Sequence, residues 1–161
     1  MKILSMKTTI FLGAMLSLLV CLMFTGCSNS ETNSTSRGLT DFAHIEEEYL
    51  ATIDSLNWPD GIALPDKLED EDTGASFQVG YGETRASYLW EYSWMKEWLD
   101  TYNTNPERAE KALEELEKAF DMPYMGKDRC DDATRNYLRE NIDKAKLGDP
   151  SGFRECIDVN Y

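Results

Sequence analysis

The sequence has 161 residues, of which 30 are Asp or Glu and 16 are Lys or Arg, so its formal net charge is −14. A nucleic-acid partner is not expected, because binding to phosphate backbones requires clustered Lys and Arg, and acids here outnumber bases almost two to one. The length allows one domain with one core behind an export segment, and it is too short for a two-lobed solute receptor.

The N terminus has the layout of a secretory signal. Lys2 and Lys7 precede residues 10–24, which are almost entirely apolar, and no acid occurs before Glu31. A membrane-spanning helix needs about 20 apolar residues, whereas this stretch offers about 15. We therefore expect the segment to be cleaved rather than to remain as a permanent span.

The apolar stretch ends in Phe24-Thr25-Gly26-Cys27, which resembles the lipobox of bacterial lipoproteins: an aliphatic residue, two small residues and an invariant cysteine. Phe24 stands where the usual residue is Leu. The resemblance covers residues 1–27 and implies cleavage of residues 1–26 and a diacylglyceryl group on Cys27. Two acyl chains anchor a protein stably, at about 0.8 kcal/mol per buried methylene. An ordinary signal peptide or an uncleaved anchor is the alternative.

Residues 27–40 are predicted to be the lipidated cysteine and a flexible tether. The run after Cys27 consists mainly of Ser, Thr and Asn, with Leu39 as its one large apolar side chain, so it buries too little surface to order itself. Cleavage removes two lysines and no acids, which lowers the formal charge to −16. That charge favours solubility and keeps the body away from the anionic lipid to which it is tied.

Residues 41–161 are predicted to form an all-α domain, a small antiparallel bundle of about four helices with one long irregular loop. The first helix, over 41–57, places its apolar residues on one arc and its acids on the other face. His44 lies three and four residues before Glu47 and Glu48, a spacing that suits a metal. Two more ligands would be needed, so a solvated charged face is the preferred interpretation, and no metal site or cofactor is predicted.

The second helix, over about 84–102, is apolar around more than half of its circumference, which predicts a central position. Trp90, Trp94 and Trp98 form one row along it. Such a row is found more often in a core than in a sugar-stacking strip, so we expect these rings to be buried.

Two further helices follow. The third begins at Pro106 behind the cap residue Asn105, and the fourth covers about 128–147, before Gly148-Asp149-Pro150. The inward positions expected in the fourth helix are Cys130, Ala133, Tyr137, Leu138, Ile142 and Ala145. Residues 151–158 are expected to add one short turn. Because the connections are short, neighbouring helices should pack antiparallel.

The long loop, residues 58–83, is the predicted contact surface, since loops of this length are usually functional or disordered. Alternating apolar residues near its end predict an extended piece packed on the bundle. The acidic run suggests weak calcium contact, but Gly74 is fifth from Asp70 rather than sixth, which excludes an EF-hand. Gly80-x-Gly82 lacks the rest of a phosphate-loop motif and is interpreted as a helix entry. The candidate surface residues are Trp58, Asp66, Glu69, Asp70, Asp72 and Tyr81.

The loop also carries a second resemblance. Trp58-Pro59-Asp60-Gly61, then Leu64-Pro65, then Gly80-Tyr81-Gly82 before a tryptophan-rich helix, is similar to small, uncharacterised exported proteins of Gram-positive actinobacteria. The resemblance implies an envelope location and a shared fold. It implies no reaction. With the lipid anchor on Cys27, we expect the chain on the extracytoplasmic face of the cell membrane.

Cys130 and Cys156 form an isolated pair in a domain expected to be exported, where disulfides persist. A bridge would close a loop worth about 3 kcal/mol in the chain-entropy model. It would require an extended C-terminal tail or one that crosses the bundle, and two buried free thiols are the alternative.

The leading functional hypothesis is a non-catalytic binding or structural module of the cell envelope, with an unknown envelope or extracellular partner. The alternatives are a small envelope hydrolase that uses two carboxylates and a calcium-dependent adhesive module. No Gly-x-Ser-x-Gly motif is present to place a serine nucleophile.

Overall fold

The computed structural model describes residues 38–69 and 71–161, and the predicted signal peptide, Cys27 and most of the tether lie outside these residues. The chain divides into two units, 1–34 and 35–161, and the described residues belong to the second. Their elements are β1 (Leu39–Thr40), α1 (Phe42–Ser55), β2 (Phe77–Gln78), α2 (Tyr81–Thr101), α3 (Pro106–Glu117), α4 (Asp132–Lys146) and α5 (Ser151–Asn160). The all-α prediction is confirmed, with five helices in this part of the chain instead of about four. None of these helices is both long enough and apolar enough to cross a membrane.

The first helix forms where the apolar pattern predicts it. The Asp41 side chain caps it by accepting a hydrogen bond from the His44 amide at 3.1 Å. Leu39 and Thr40, which the sequence analysis assigns to the tether, form β1, which pairs antiparallel with β2 and aligns Leu39 with Gln78 and Thr40 with Phe77. These two residues therefore belong to the folded part of the chain.

The central helix is α2, which packs against α1, α3 and α5. Trp90, Trp94 and Trp98 on this helix are each at least 98% buried, which confirms their assignment to the core. The indole N–H groups of Trp90 and Trp94 both donate to the Asn57 carbonyl, at 2.8 and 3.2 Å. These bonds tie the start of the long loop to the helix that the loop precedes.

The third helix matches its sequence prediction, since the Asn105 side chain caps it and Pro106 is its first residue. Two 3₁₀ turns follow, Lys118–Asp121 and Pro123–Met125. The second of these turns buries Tyr124 and Met125 against the core.

The fourth helix starts four residues later than predicted, because the Asp131 carboxylate accepts the Thr134 amide at 2.7 Å and caps a helix that begins at Asp132. Cys130 therefore precedes the helix. Of the expected inward positions, Leu138, Ile142 and Ala145 are buried, whereas Ala133 and Tyr137 are exposed. A short turn is predicted over residues 151–158, but the chain there forms the ten-residue helix α5, which buries Phe153 and Cys156.

Two glycines set how closely the helices cross. A Cβ atom at Gly82 would lie 1.8 Å from the Ile45 carbonyl oxygen, and one at Gly152 would lie 2.5 Å from the Asn141 side-chain oxygen. The α1–α2 and α4–α5 crossings therefore depend on the absence of a side chain at these positions. Residues of α4 and α5 line the groove described below.

Candidate functional site

The residues predicted to form a contact surface on the long loop do not form one continuous surface in the structure. Trp58 is half-buried, packs against both parts of the core and donates its indole N–H to the Ile53 carbonyl at 2.9 Å. Tyr81 is the first residue of α2 rather than part of an extended piece, and its hydroxyl donates to Glu71 at 2.8 Å. Both side chains hold the loop in place and do not form an exposed binding face.

The acidic residues of the loop do not converge. Asp66, Glu69 and Asp72 are exposed, and Asp70 lies outside the described residues. Glu69 pairs with Lys67 at 2.8 Å, and Asp72 accepts the Gly74 amide at 2.9 Å. Within residues 38–69 and 71–161, no group of three or more His, Cys, Asp or Glu side chains is arranged to hold a metal ion.

A solvated charged face is expected for the acids near His44, but Glu48 does not lie on one. Its carboxylate accepts the Gly80 amide at 2.7 and 2.9 Å and the Gly82 amide at 3.2 Å. His44 pairs with the same carboxylate at 3.2 Å. The histidine thus borders a helix cap, and Gly80, with φ near 90°, forms the helix entry that its sequence predicts.

A groove of about 720 Å³ between α2, α4 and α5 is the strongest candidate site. It is larger than two other grooves on this part of the chain, of about 500 and 310 Å³. Four of the seven exposed large hydrophobic side chains among the described residues line it: Tyr88, Tyr137, Val159 and Tyr161. Clustered exposed apolar side chains around a concavity are typical of ligand or partner sites.

The groove contains a buried carboxyl group. Glu91, on α2, is only 6% exposed, and the Tyr124 hydroxyl donates to its Oε2 at 2.7 Å. Burial raises the pKa of Glu91 to about 7, although the hydrogen bond from Tyr124 opposes this shift. Burial and the neighbouring Glu91 also raise the pKa of Tyr124. Since groups with shifted pKa values concentrate at functional sites, Glu91 supports the choice of this groove as the candidate site.

Tyrosines hold the rim of the groove. The Tyr161 hydroxyl donates to the Tyr88 carbonyl at 3.1 Å, and the Tyr161 ring lies 5.0 Å from the Tyr92 ring. The Tyr88 ring meets the Tyr124 ring edge-on at 5.7 Å. Burial raises the pKa of both Tyr88 and Tyr161, so these rings are neutral at physiological pH. The tyrosines of the rim are therefore neutral and are held by contacts between α2 and Tyr161.

Cys130 and Cys156 are free thiols in the structure, in place of the bridge that the sequence analysis favours. The bridge would need an extended or crossing tail, but the chain around Cys156 is helical. The Cys130 Sγ lies 3.5 Å from the Met125 Sδ, whereas Cys156 lies in the wall of the groove. Burial raises the pKa of Cys156 to about 11, and the nearby Glu91 also raises it.

Sequence reasoning did not identify Glu91, but the sequence contains a signal for it. Glu91 is three and four residues before Trp94 and Met95 and four residues after Ser87, so it shares a helix face with side chains that are almost completely buried. An acid within that row is the one charged group on an otherwise buried face. The partners of Glu91 come from distant parts of the chain, and no local pattern indicates them.

Comparison with protein-family models, with curated proteins and with solved structures gives no match to this chain.

Proposed function

We propose that the protein is a lipid-anchored extracytoplasmic lipoprotein whose folded part is a non-catalytic binding module, and that its ligand occupies the groove between α2, α4 and α5. The lipid anchor is supported by the charged, apolar and small-residue order of residues 1–27. The binding role is supported by the groove, which replaces the long loop as the favoured contact surface.

The concentration of exposed apolar side chains around one buried carboxyl carries the proposal. Tyr88, Tyr137 and Tyr161 are between 37% and 52% exposed, and Glu91 lies among them at 6%. Burial of a carboxyl group in apolar surroundings costs stability unless a partner satisfies it. A ligand that covers the tyrosines and contacts the Glu91 carboxyl would bury the exposed rings and give the carboxyl a partner.

Two measurements test the two halves of the proposal. Intact mass of the chain purified from membranes should show a diacylglyceryl group on a chain that begins at Cys27, and Cys27→Ala should remain an unlipidated precursor. An unmodified Cys27 in the wild-type chain would refute the anchor. Binding is tested by ligand-observed NMR with phenylethyl probes, whose signals should attenuate with the wild-type chain and much less with Tyr137→Ala. The matched control is Leu147→Ala, which removes an exposed apolar side chain outside the groove.

A carboxylate hydrolase is the second candidate, because Glu155 lines the same groove as Glu91. One carboxyl is buried and the other is exposed, and such a difference separates general acid from base or nucleophile in glycoside hydrolysis. Release of sugar fragments from cell-wall glycan by the wild-type chain, and its loss in Glu91→Gln, would support this candidate. Intact glycan after prolonged incubation would contradict the hydrolase and leave the binding module as the proposed function.

A further inference from the structure

We propose that the groove binds a small organic cation, an ammonium group on an apolar body, with the Glu91 carboxylate as its counter-ion. This inference rests on the proposed binding function and names the chemical class of the ligand. It follows from the charges around the groove, the Glu91 carboxyl, which has one hydrogen-bond donor among the described residues, and the aromatic rim.

The charge of the groove is of one sign. Among residues 38–69 and 71–161, its lining includes Glu91 and Glu155 and contains no Lys, Arg or His. The nearby guanidinium of Arg135 is directed elsewhere, since it donates to the Met125 and Cys130 carbonyls and pairs with Asp132. An anionic ligand would meet two carboxylates without a counter-charge, whereas a cation is complementary to the groove and to the acidic protein as a whole.

Glu91 has an unused acceptor. Among the described residues, its carboxyl has one hydrogen-bond donor, the Tyr124 hydroxyl at Oε2, and no ion-pair partner. The titratable groups closest to it are uncharged near neutral pH: Tyr88 on α2, Tyr124 in the 3₁₀ turn, Cys130 before α4, Cys156 on α5 and Tyr161 directly after α5. The other carboxyl group of the groove is that of Glu155 on α5. A buried carboxylate without a counter-charge is unfavourable, so a bound ammonium group would supply the missing partner.

The tyrosines suit the same ligand. Aromatic faces attract cations through the ring quadrupole, and ammonium ligands are commonly held between several such rings. Tyr88 on α2, Tyr137 on α4 and Tyr161 directly after α5 line the same groove as Glu91. The apolar body of the ligand would contact Val159 and Leu138, which line the same wall.

Binding should depend on pH, because the ligand needs Glu91 ionised. Burial holds the pKa of Glu91 near 7 in the free protein. Below that pH, each bound cation must displace a proton, so the dissociation constant should rise about tenfold for each pH unit below about 7. Above pH 8 it should be constant while the ligand itself remains protonated.

The test uses the full chain in maltoside micelles, with micelles alone as the blank, and three probes that differ in charge. These are 2-phenylethylammonium, 2-phenylethanol and 3-phenylpropanoate. The cation should bind at least tenfold more tightly than the alcohol at pH 8, and the anion most weakly. In Glu91→Gln the cation and the alcohol should bind equally, while Glu140→Gln, an exposed change outside the groove, should keep the preference.

The outcomes separate this inference from the proposed function. Equal binding of all three probes by the wild-type chain would contradict the proposal of a cationic ligand but agree with a binding groove. Absence of binding by every probe at millimolar concentration overturns both. A dimer that forms through this face and excludes the probes also overturns the cation. If Glu91→Gln does not fold, the loss of affinity below pH 7 in the wild-type chain is decisive, because a pH-independent cation affinity contradicts a role for Glu91.

Discussion

Glu48 on α1 caps the first turn of α2, although 32 residues separate it from Gly80. Its two carboxylate oxygens lie 2.7 and 2.9 Å from the Gly80 amide nitrogen, and one of them also accepts the Gly82 amide at 3.2 Å. The amides at a helix start have no partner within the helix, and the helix dipole favours a negative charge there. One side chain thus satisfies the start of the central helix and fixes α1 against it.

Replacement of Glu48 should destabilise the fold. Glu48→Ala removes charge-assisted hydrogen bonds to a helix start that is partly shielded from solvent, and we expect the free energy of unfolding to fall by about 2 kcal/mol. Urea unfolding followed by circular dichroism measures the change. The neighbouring Glu47→Ala, at an exposed position, is the control and should differ from wild type by less than about 0.5 kcal/mol. Equal effects of the two changes would contradict the cap.

The close crossing of α1 and α2 makes a second prediction. Gly82→Ala places a methyl group 1.8 Å from the Ile45 carbonyl oxygen, a backbone atom that cannot rotate away, so the helices must separate. We expect the free energy of unfolding to fall by about 3 kcal/mol, at the upper end for overpacked sites. Gly38→Ala is the matched control, because a Cβ there meets no atom within 4 Å. A thermal shift of similar size in both variants would contradict the crossing geometry.

Local signals in the sequence predict most of the fold. The cap residue Asn105, the apolar row of tryptophans and the glycine entry at Gly80 all act over a few residues, and the structure has each of them. The fourth helix starts later than predicted because the Asp131 side chain caps it. An apolar pattern alone does not fix a helix start to within a few residues.

The site is harder to predict because its parts are far apart in sequence. Glu91 receives its hydrogen bond from Tyr124, 33 residues away, and the Tyr161 hydroxyl reaches the Tyr88 carbonyl across 73 residues. The long loop attracts attention in the sequence because of its acids and aromatic residues. In the structure Trp58 and Tyr81 are used in packing, and the groove lies where α5 continues beyond its predicted length.

The stability of the protein should depend on pH through Glu91. Its pKa is about 7 in the folded chain and 4.5 in an ordinary, solvated glutamate, so between these pH values the unfolded chain has lost a proton that the folded chain still holds. Stability from this group is therefore complete below about pH 4.5 and is lost as pH rises to about 7, a loss of about 3 kcal/mol.

Glu91→Gln tests this dependence, because glutamine keeps an acceptor for Tyr124 and cannot ionise. The variant should match the wild type near pH 4.5 and exceed its free energy of unfolding by about 3 kcal/mol at pH 8. Urea unfolding at a series of pH values gives the comparison. The exposed Glu140→Gln should follow the wild-type curve. A constant difference between Glu91→Gln and wild type across this range would show that Glu91 does not titrate as described.

The two cysteines give a test that distinguishes free thiols from a bridge. Burial raises the pKa of Cys156 to about 11, which lowers its thiolate fraction near pH 8 about 100-fold, and burial also raises the pKa of Cys130. Both thiols should therefore react slowly with a disulfide reagent in the folded chain and rapidly once it is unfolded without reductant. If both are free, Cys130→Ser and Cys156→Ser should each remove one of the thiols released by unfolding. If they are bridged, each single variant should instead gain one thiol, because serine at one position frees the sulfur at the other.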